Sequence, residues 1–84
     1  MFGLTKLDLH AGLVNRMGDV LGADLGVALV EGRLSGQELR GAVLRCCGCG
    51  SESACDRWLE DHRAGAEAAP AYCRNEALFE RLKP

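Results

Sequence analysis

The chain has 84 residues, ten basic and twelve acidic, and a formal net charge of −2 at pH 7. It carries no basic stripe and no apolar run near the ~20 residues of a membrane span, which argues against nucleic-acid and membrane partners. That length fits one domain, 1–84, whose small core is marginal by itself, so five cysteines are a physically meaningful number.

Met1 to Asp8 lacks a basic start, a long apolar run and a small-residue cleavage site, so it does not read as a secretory signal. The expectation is a cytoplasmic protein. In that compartment clustered cysteines mean metal or redox chemistry more often than structural disulfides.

The first predicted helix spans about Lys6 to Leu21. Thr5 caps it, with Asp8 completing a short capping box, and Gly22 suits the stop. Leu9, Leu13, Val14, Met17, Val20 and Leu21 recur at three- and four-residue spacing as one apolar stripe. An exposed part of that stripe would favour a homodimer. A second helix covers about Leu25 to Glu31, capped by Asp24 and ended by Gly32, with Leu25, Ala28 and Leu29 on a shared face.

The third helix has the clearest start. Ser35-Gly36-Gln37-Glu38 is a full capping box, and Leu34 and Leu39 stand where a hydrophobic staple needs them. The helix runs through Val43 and Leu44 into Cys46 or Cys47, and Gly48 and Gly50 break it. A fourth helix starts near Ser51 or Ser53 and continues to about Arg63, with Cys55, Trp58, Leu59 and His62 on one face. Ala66 to Pro70 reads as a linker. Asn75 caps a last helix over Glu76 to Leu82, whose apolar side is Leu78, Phe79 and Leu82. No segment alternates with period two, so the expected fold is all-α: four or five short helices around a four-cysteine site.

The candidate site is Cys46-x2-Cys49-x5-Cys55, joined by Cys73 after seventeen intervening residues. Cys46 ends one helix, Cys49 sits in a glycine-bearing turn, and Cys55 falls in the first turn of the next helix. There, backbone N–H groups and the helix dipole favour thiolate charge. Cys73 arrives just before another helix start. Four thiolates from three places can enclose a tetrahedral ion or a cubane cluster. The spacing matches neither a zinc ribbon nor the common ferredoxin runs, so it does not decide the metal.

Three of the four aromatics, Trp58, Tyr72 and Phe79, lie near these cysteines in sequence and offer the apolar shielding that an iron–sulfur cluster uses. The plainer role for such residues is to fill the core. Cys47 points about 100° away from Cys46 on a helix. It suits the core, or replaces Cys46 as ligand, or is a reactive thiol if exposed. His62 lies about 10 Å along the axis from Cys55, too far to share one zinc ion, and suits a hydrogen bond or a helix cap. His10 reads as a core-edge histidine. No motif of hydrolase, metalloprotease or P-loop type occurs, so no enzyme is expected.

Three stretches carry a resemblance: Leu44 to Cys49, Cys55 to Leu59, and Ala69 to Phe79. With Gly12 to Met17 they make the chain resemble a family of small bacterial proteins known only as a domain of unknown function. The resemblance implies that Cys46, Cys49, Cys55 and Cys73 belong to the pattern and that Cys47 does not. Proline is common in that family where this chain has Arg74. The resemblance implies nothing firm about activity.

Three functional readings stay open. The leading one is a [4Fe–4S] protein that transfers electrons or senses redox state with a protein partner. The alternative is a structural zinc module, held by the same four cysteines, that mediates protein–protein interaction. In the third, the cysteines form disulfides.

Overall fold

Side-chain caps set where the first three helices begin. The computed structural model describes residues 5–84, so Met1 to Leu4, including the start of the stretch read above for a signal, lie outside the described residues. Thr5 accepts from the Asp8 N–H at 3.1 Å while the Asp8 carboxylate accepts from the Thr5 N–H at 3.3 Å, and α1 runs Lys6–Leu21. Gly22 ends it in the left-handed region at φ 77°, which only glycine enters at no steric cost. Asp24 caps α2, Leu25–Val30, through the Val27 N–H at 3.0 Å. Ser35 and Glu38 form the predicted reciprocal pair at 3.0 and 2.9 Å, and α3 is Gly36–Cys47. Then come α4, Glu52–Asp61, and α5, Glu76–Leu82. The described residues contain no strand. The all-α expectation therefore holds.

α1 is the central element and packs on α3 and α4. Its buried side is His10, Leu13, Val14, Met17 and Leu21, and Leu34, Val43, Leu59, Phe79 and Leu82 close over it from the other segments. This corrects the predicted stripe. At 100° per residue, His10 lies on the midline of Leu13, Val14, Met17 and Leu21, while Leu9 stands about 90° off it. Accordingly His10 is 0% exposed, not at the core edge, and Leu9 is 47% exposed. The His10 ring meets the Lys6 carbonyl through Nδ1 at 2.7 Å. Its Nε2 makes no hydrogen bond and faces a Glu52 carboxylate oxygen at 3.3 Å.

Four other expectations shift. Leu44 points outward at 57% exposure, because it sits on the side of α3 opposite Ala42, Val43 and Cys46. α4 stops at Asp61 rather than Arg63, since His62 leaves helical geometry at φ −116° and turns its ring back onto the Trp58 carbonyl at 2.7 Å. Neither Ser51 nor Asn75 caps through its side chain, although each occupies the N-cap position. The Ala66–Pro70 segment is tied down rather than loose. The Ala66 N–H donates to the Val20 carbonyl at 3.0 Å, Ala69 is buried, and Lys83 Nζ donates to the Glu67 carbonyl.

The two serine N-caps thus differ in kind. Ser35→Ala should lower stability by about 1 kcal/mol, the usual worth of an N-cap bond. Ser51→Ala should change it far less, and urea unfolding of the two variants checks the contrast.

Candidate functional site

Each of the four predicted cysteines arrives from a different local structure. Cys46 is on the last turn of α3, on the same side as the buried Ala42 and Val43. α3 ends at Gly48, whose N–H turns back to the Leu44 and Arg45 carbonyls, and Gly50 takes φ 71° to reverse the chain. Cys49 sits between those glycines. Cys55 is on the inward face of α4, and Cys73 ends the loop that precedes α5. All four line one small cavity. Leu13, Val14 and Met17 of α1 and Phe79 of α5 supply its apolar walls, and Tyr72, Arg74 and Asn75 complete the lining. The cavity volume is about 20 Å³, the space of one or two water molecules.

The side chains share a cavity without closing on a point. Among the described residues no group of three or more His, Cys, Asp or Glu side chains is arranged to hold a metal ion. The cysteines are free thiols, with Cys55 buried and the others half-buried. Their electrostatics show mutual proximity. Burial pushes the Cys46 thiol up to about 12, and Cys49, Cys55, Cys47 and Cys73 add to the effect. Burial also raises Cys55, with Cys73 and Cys49 adding and Arg16 opposing. Cys73 is raised by burial too, against the pull of the Asn75 backbone N–H on its sulfur. The Ser51 N–H donates to Cys49 Sγ at 3.4 Å. Burial and neighbouring thiols thus oppose ionisation of Cys46, Cys55 and Cys73, an opposition that the charge of a cation would reverse.

Asn75 fixes the fourth thiol relative to the first. It is 3% exposed, and its Nδ2 donates to the Ala42 carbonyl at 2.8 Å while its Oδ1 accepts from Arg45 Nε at 2.8 Å. Both partners are on α3, within one turn of Cys46. Read only as a cap, Asn75 hides this use, and no local pattern announces it. The sequence around Arg74 gives no sign of its place in the lining either. Cys47 does not line the cavity; Cys46 does. Tyr72 and Phe79 line it, but Trp58 does not, and stacks instead on His62 with ring centroids 4.0 Å apart.

Fold and site together define a small helical protein with a thiol-lined apolar cavity between its central helix and its two ordered turns. The chain belongs to a family of unknown function, DUF6455, which matches residues 1–84. No curated protein and no solved structure matches it.

Asn75→Ala should cost about 1–3 kcal/mol, because it strips the partner from Arg45 Nε and empties a buried position; chemical denaturation measures it. The thiols give a pH dependence. The folded chain keeps the Cys46 proton from the ordinary value of 9.0 up to about 12, while the unfolded chain loses it near 9.0. The folded state therefore binds more protons in that window. Metal-free protein should lose stability as pH rises from 9.0 toward about 12, as denaturation at stepped pH will show.

Proposed function

We propose that this chain is an iron–sulfur protein in which Cys46, Cys49, Cys55 and Cys73 hold a [4Fe–4S] cluster. It exchanges single electrons with a protein partner or reports redox state to it. The observation that carries this reading is the placement of all four cysteines on the walls of one apolar cavity. The four thiols border this common space from three separate stretches of the chain. Leu13, Val14, Met17 and Phe79 exclude water from its inner side, and the Ser51 N–H and the Asn75 backbone N–H are aimed at sulfur. Such shielding and N–H···S bonds are the means by which a protein sets a cluster's potential. The bound cluster supplies a one-electron couple; the chain supplies ligands, orientation and dielectric. The glycines at 48 and 50 are exposed, so the turn that carries Cys49 is thinly covered.

The small cavity volume favours a second reading, one zinc ion with the four thiols drawn inward. The chain would then be a zinc-stabilised interaction module. In either reading the partner is a protein. Leu7 and Leu9 are the exposed apolar side chains on α1, the surface that a homodimer would cover. No helix among the described residues is long and apolar enough to cross a membrane, and a cytoplasmic location is part of the proposal.

Anaerobic reconstitution with iron and sulfide tests the choice. The iron–sulfur reading expects about four irons and four sulfides per chain and a broad band at about 400 nm. Serine at position 46, 49, 55 or 73 should abolish most of that band, and Cys47→Ser should keep it. Protein that takes up stoichiometric zinc and no sulfide selects the zinc module, and protein that binds neither ends both.

A further inference from the structure

One buried titratable group takes no part in the thiol cavity. His10 is fully buried on the midline of α1 and does not line the cavity. Its Nδ1 stands 2.7 Å from the Lys6 carbonyl oxygen, which only accepts, so Nδ1 carries hydrogen. In the neutral ring Nε2 is then a bare lone pair. That nitrogen makes no hydrogen bond and faces Glu52 Oε1 at 3.3 Å, so a neutral ring would set two acceptors against each other in the interior. A proton on Nε2 removes the conflict, because it makes the pair imidazolium against carboxylate. Glu52 is the first residue of α4, and negative charge is favoured in the first turn of a helix, which puts the proton on the ring rather than on the carboxyl.

The contact sits where α4 lacks another fastening. Ser51 stands at its N-cap without a side-chain cap bond, and the next ion pairs between α1 and α4 join Arg16 to Asp56 and Glu60, a turn or more along. Among the described residues Glu52 is the acidic group paired with His10. The other charged groups of the packed helices are engaged elsewhere or exposed. On α1, Asp8 accepts from the Thr5 N–H and Lys6 is exposed. On α3, Glu38 pairs with Arg81, Arg45 Nε bonds Asn75 and Arg40 is exposed. On α4, Arg57 and Asp61 are exposed. The Cys46 and Cys55 thiols line the cavity, and Cys47 is half-buried outside it. The Glu52 side chain is 42% exposed, so its carboxylate has water to withdraw to, whereas the ring has none.

We propose that His10 and Glu52 form a proton-operated latch between α1 and the start of α4. With the proton bound, the first turn of α4 is fastened to the central helix. Without it, the Glu52 carboxylate turns out to water and that turn loses its hold. Ser51 directly precedes the turn, and its N–H donates to Cys49 Sγ at 3.4 Å, so the latch acts on the segment that carries Cys49. It does so whether the four thiols hold a cluster, a zinc ion or nothing. The folded contact holds a proton. Its contribution to stability is therefore present at the acid end of the range in which imidazoles titrate, about pH 5 to 8, and is lost toward the alkaline end.

The test uses the full-length, metal-free chain with its thiols kept reduced, and Glu52→Gln as the partner variant. Glutamine keeps the size of the side chain and donates an amide N–H to a bare Nε2, so its contact needs no titrating proton. Urea unfolding is followed at stepped pH from about 5 to 8. At each pH the unfolding constant of the wild type is divided by that of Glu52→Gln, which cancels the titrating groups that both proteins share. The latch predicts that this ratio rises several-fold from the acid to the alkaline end. A ratio that stays flat or falls overturns it. The protonation of the ring is read directly by nitrogen-15 NMR on the wild type, with His62→Gln to assign the signals, since the chain has two histidines. His10 should show two protonated nitrogens at the acid end and one, Nδ1, at the alkaline end. An Nε2 that stays bare, or stays protonated, across the whole range overturns the latch even where the stability ratio moves.

Discussion

The amide of Asn75 is the link on which the geometry of the cavity depends. Cys73 sits in a loop, far in sequence from the other three cysteines, and a loop by itself sets no position. Two residues later, Asn75 is buried and bonded to the Ala42 carbonyl, one turn of helix ahead of Cys46. Its oxygen takes Arg45 Nε, one residue ahead of Cys46. A buried amide with both ends paired is costly to displace, because neither the amide nor the buried Ala42 carbonyl has water to replace the lost bond. The first and fourth thiols are thereby held by one short chain of bonds. The Ala66–Val20 hydrogen bond and the buried Ala69 do the same for the approach to that loop, so little of the return path from α4 is free to move.

This arrangement explains which parts of the fold were legible beforehand. The starts of α1, α2 and α3 are set by side chains that bond their own backbone three residues on, and such signals are complete within four residues. Their boundaries accordingly agree closely with the sequence pattern. Asn75 and Ser51 belong to the same residue class and stand at N-cap positions, yet their side chains do not cap. For Asn75 a tertiary partner 33 residues away displaces the local one. Nothing within a short window distinguishes those two fates. The buried face of α1 fails differently. Its geometry was readable, since His10 lies on the helix midline, but ranking residues by hydrophobicity favours Leu9. The outcome places a histidine with one unbonded nitrogen in the interior and a leucine in water.

The candidate site was legible as a residue set and not as a geometry. From the residues alone both Cys46 and Cys47 stayed open as ligands, and only the family resemblance favoured Cys46; in the structure the inward side of α3 passes through Ala42, Val43 and Cys46. The participation of Leu13, Val14 and Met17 as walls was not readable, since a core stripe and a cavity wall have the same pattern. Arg74 was visible only as a departure from the proline common in similar sequences, and its place beside Gly48 depends on how the last loop returns.

The same α1 side chains serve the core and the cavity, and this constrains what the chain can be without a ligand. Leu13, Val14 and Met17 pack against Leu59 and Phe79 on the one hand and line the thiol cavity on the other. In so small a domain no second core compensates for loosening at that seam. Burial and neighbouring thiols oppose ionisation of Cys46, Cys55 and Cys73, which keeps them protonated. A bound cation would convert that opposition into attraction and draw α3, α4 and the Cys73 loop onto α1 together. Binding and folding would then share one free energy.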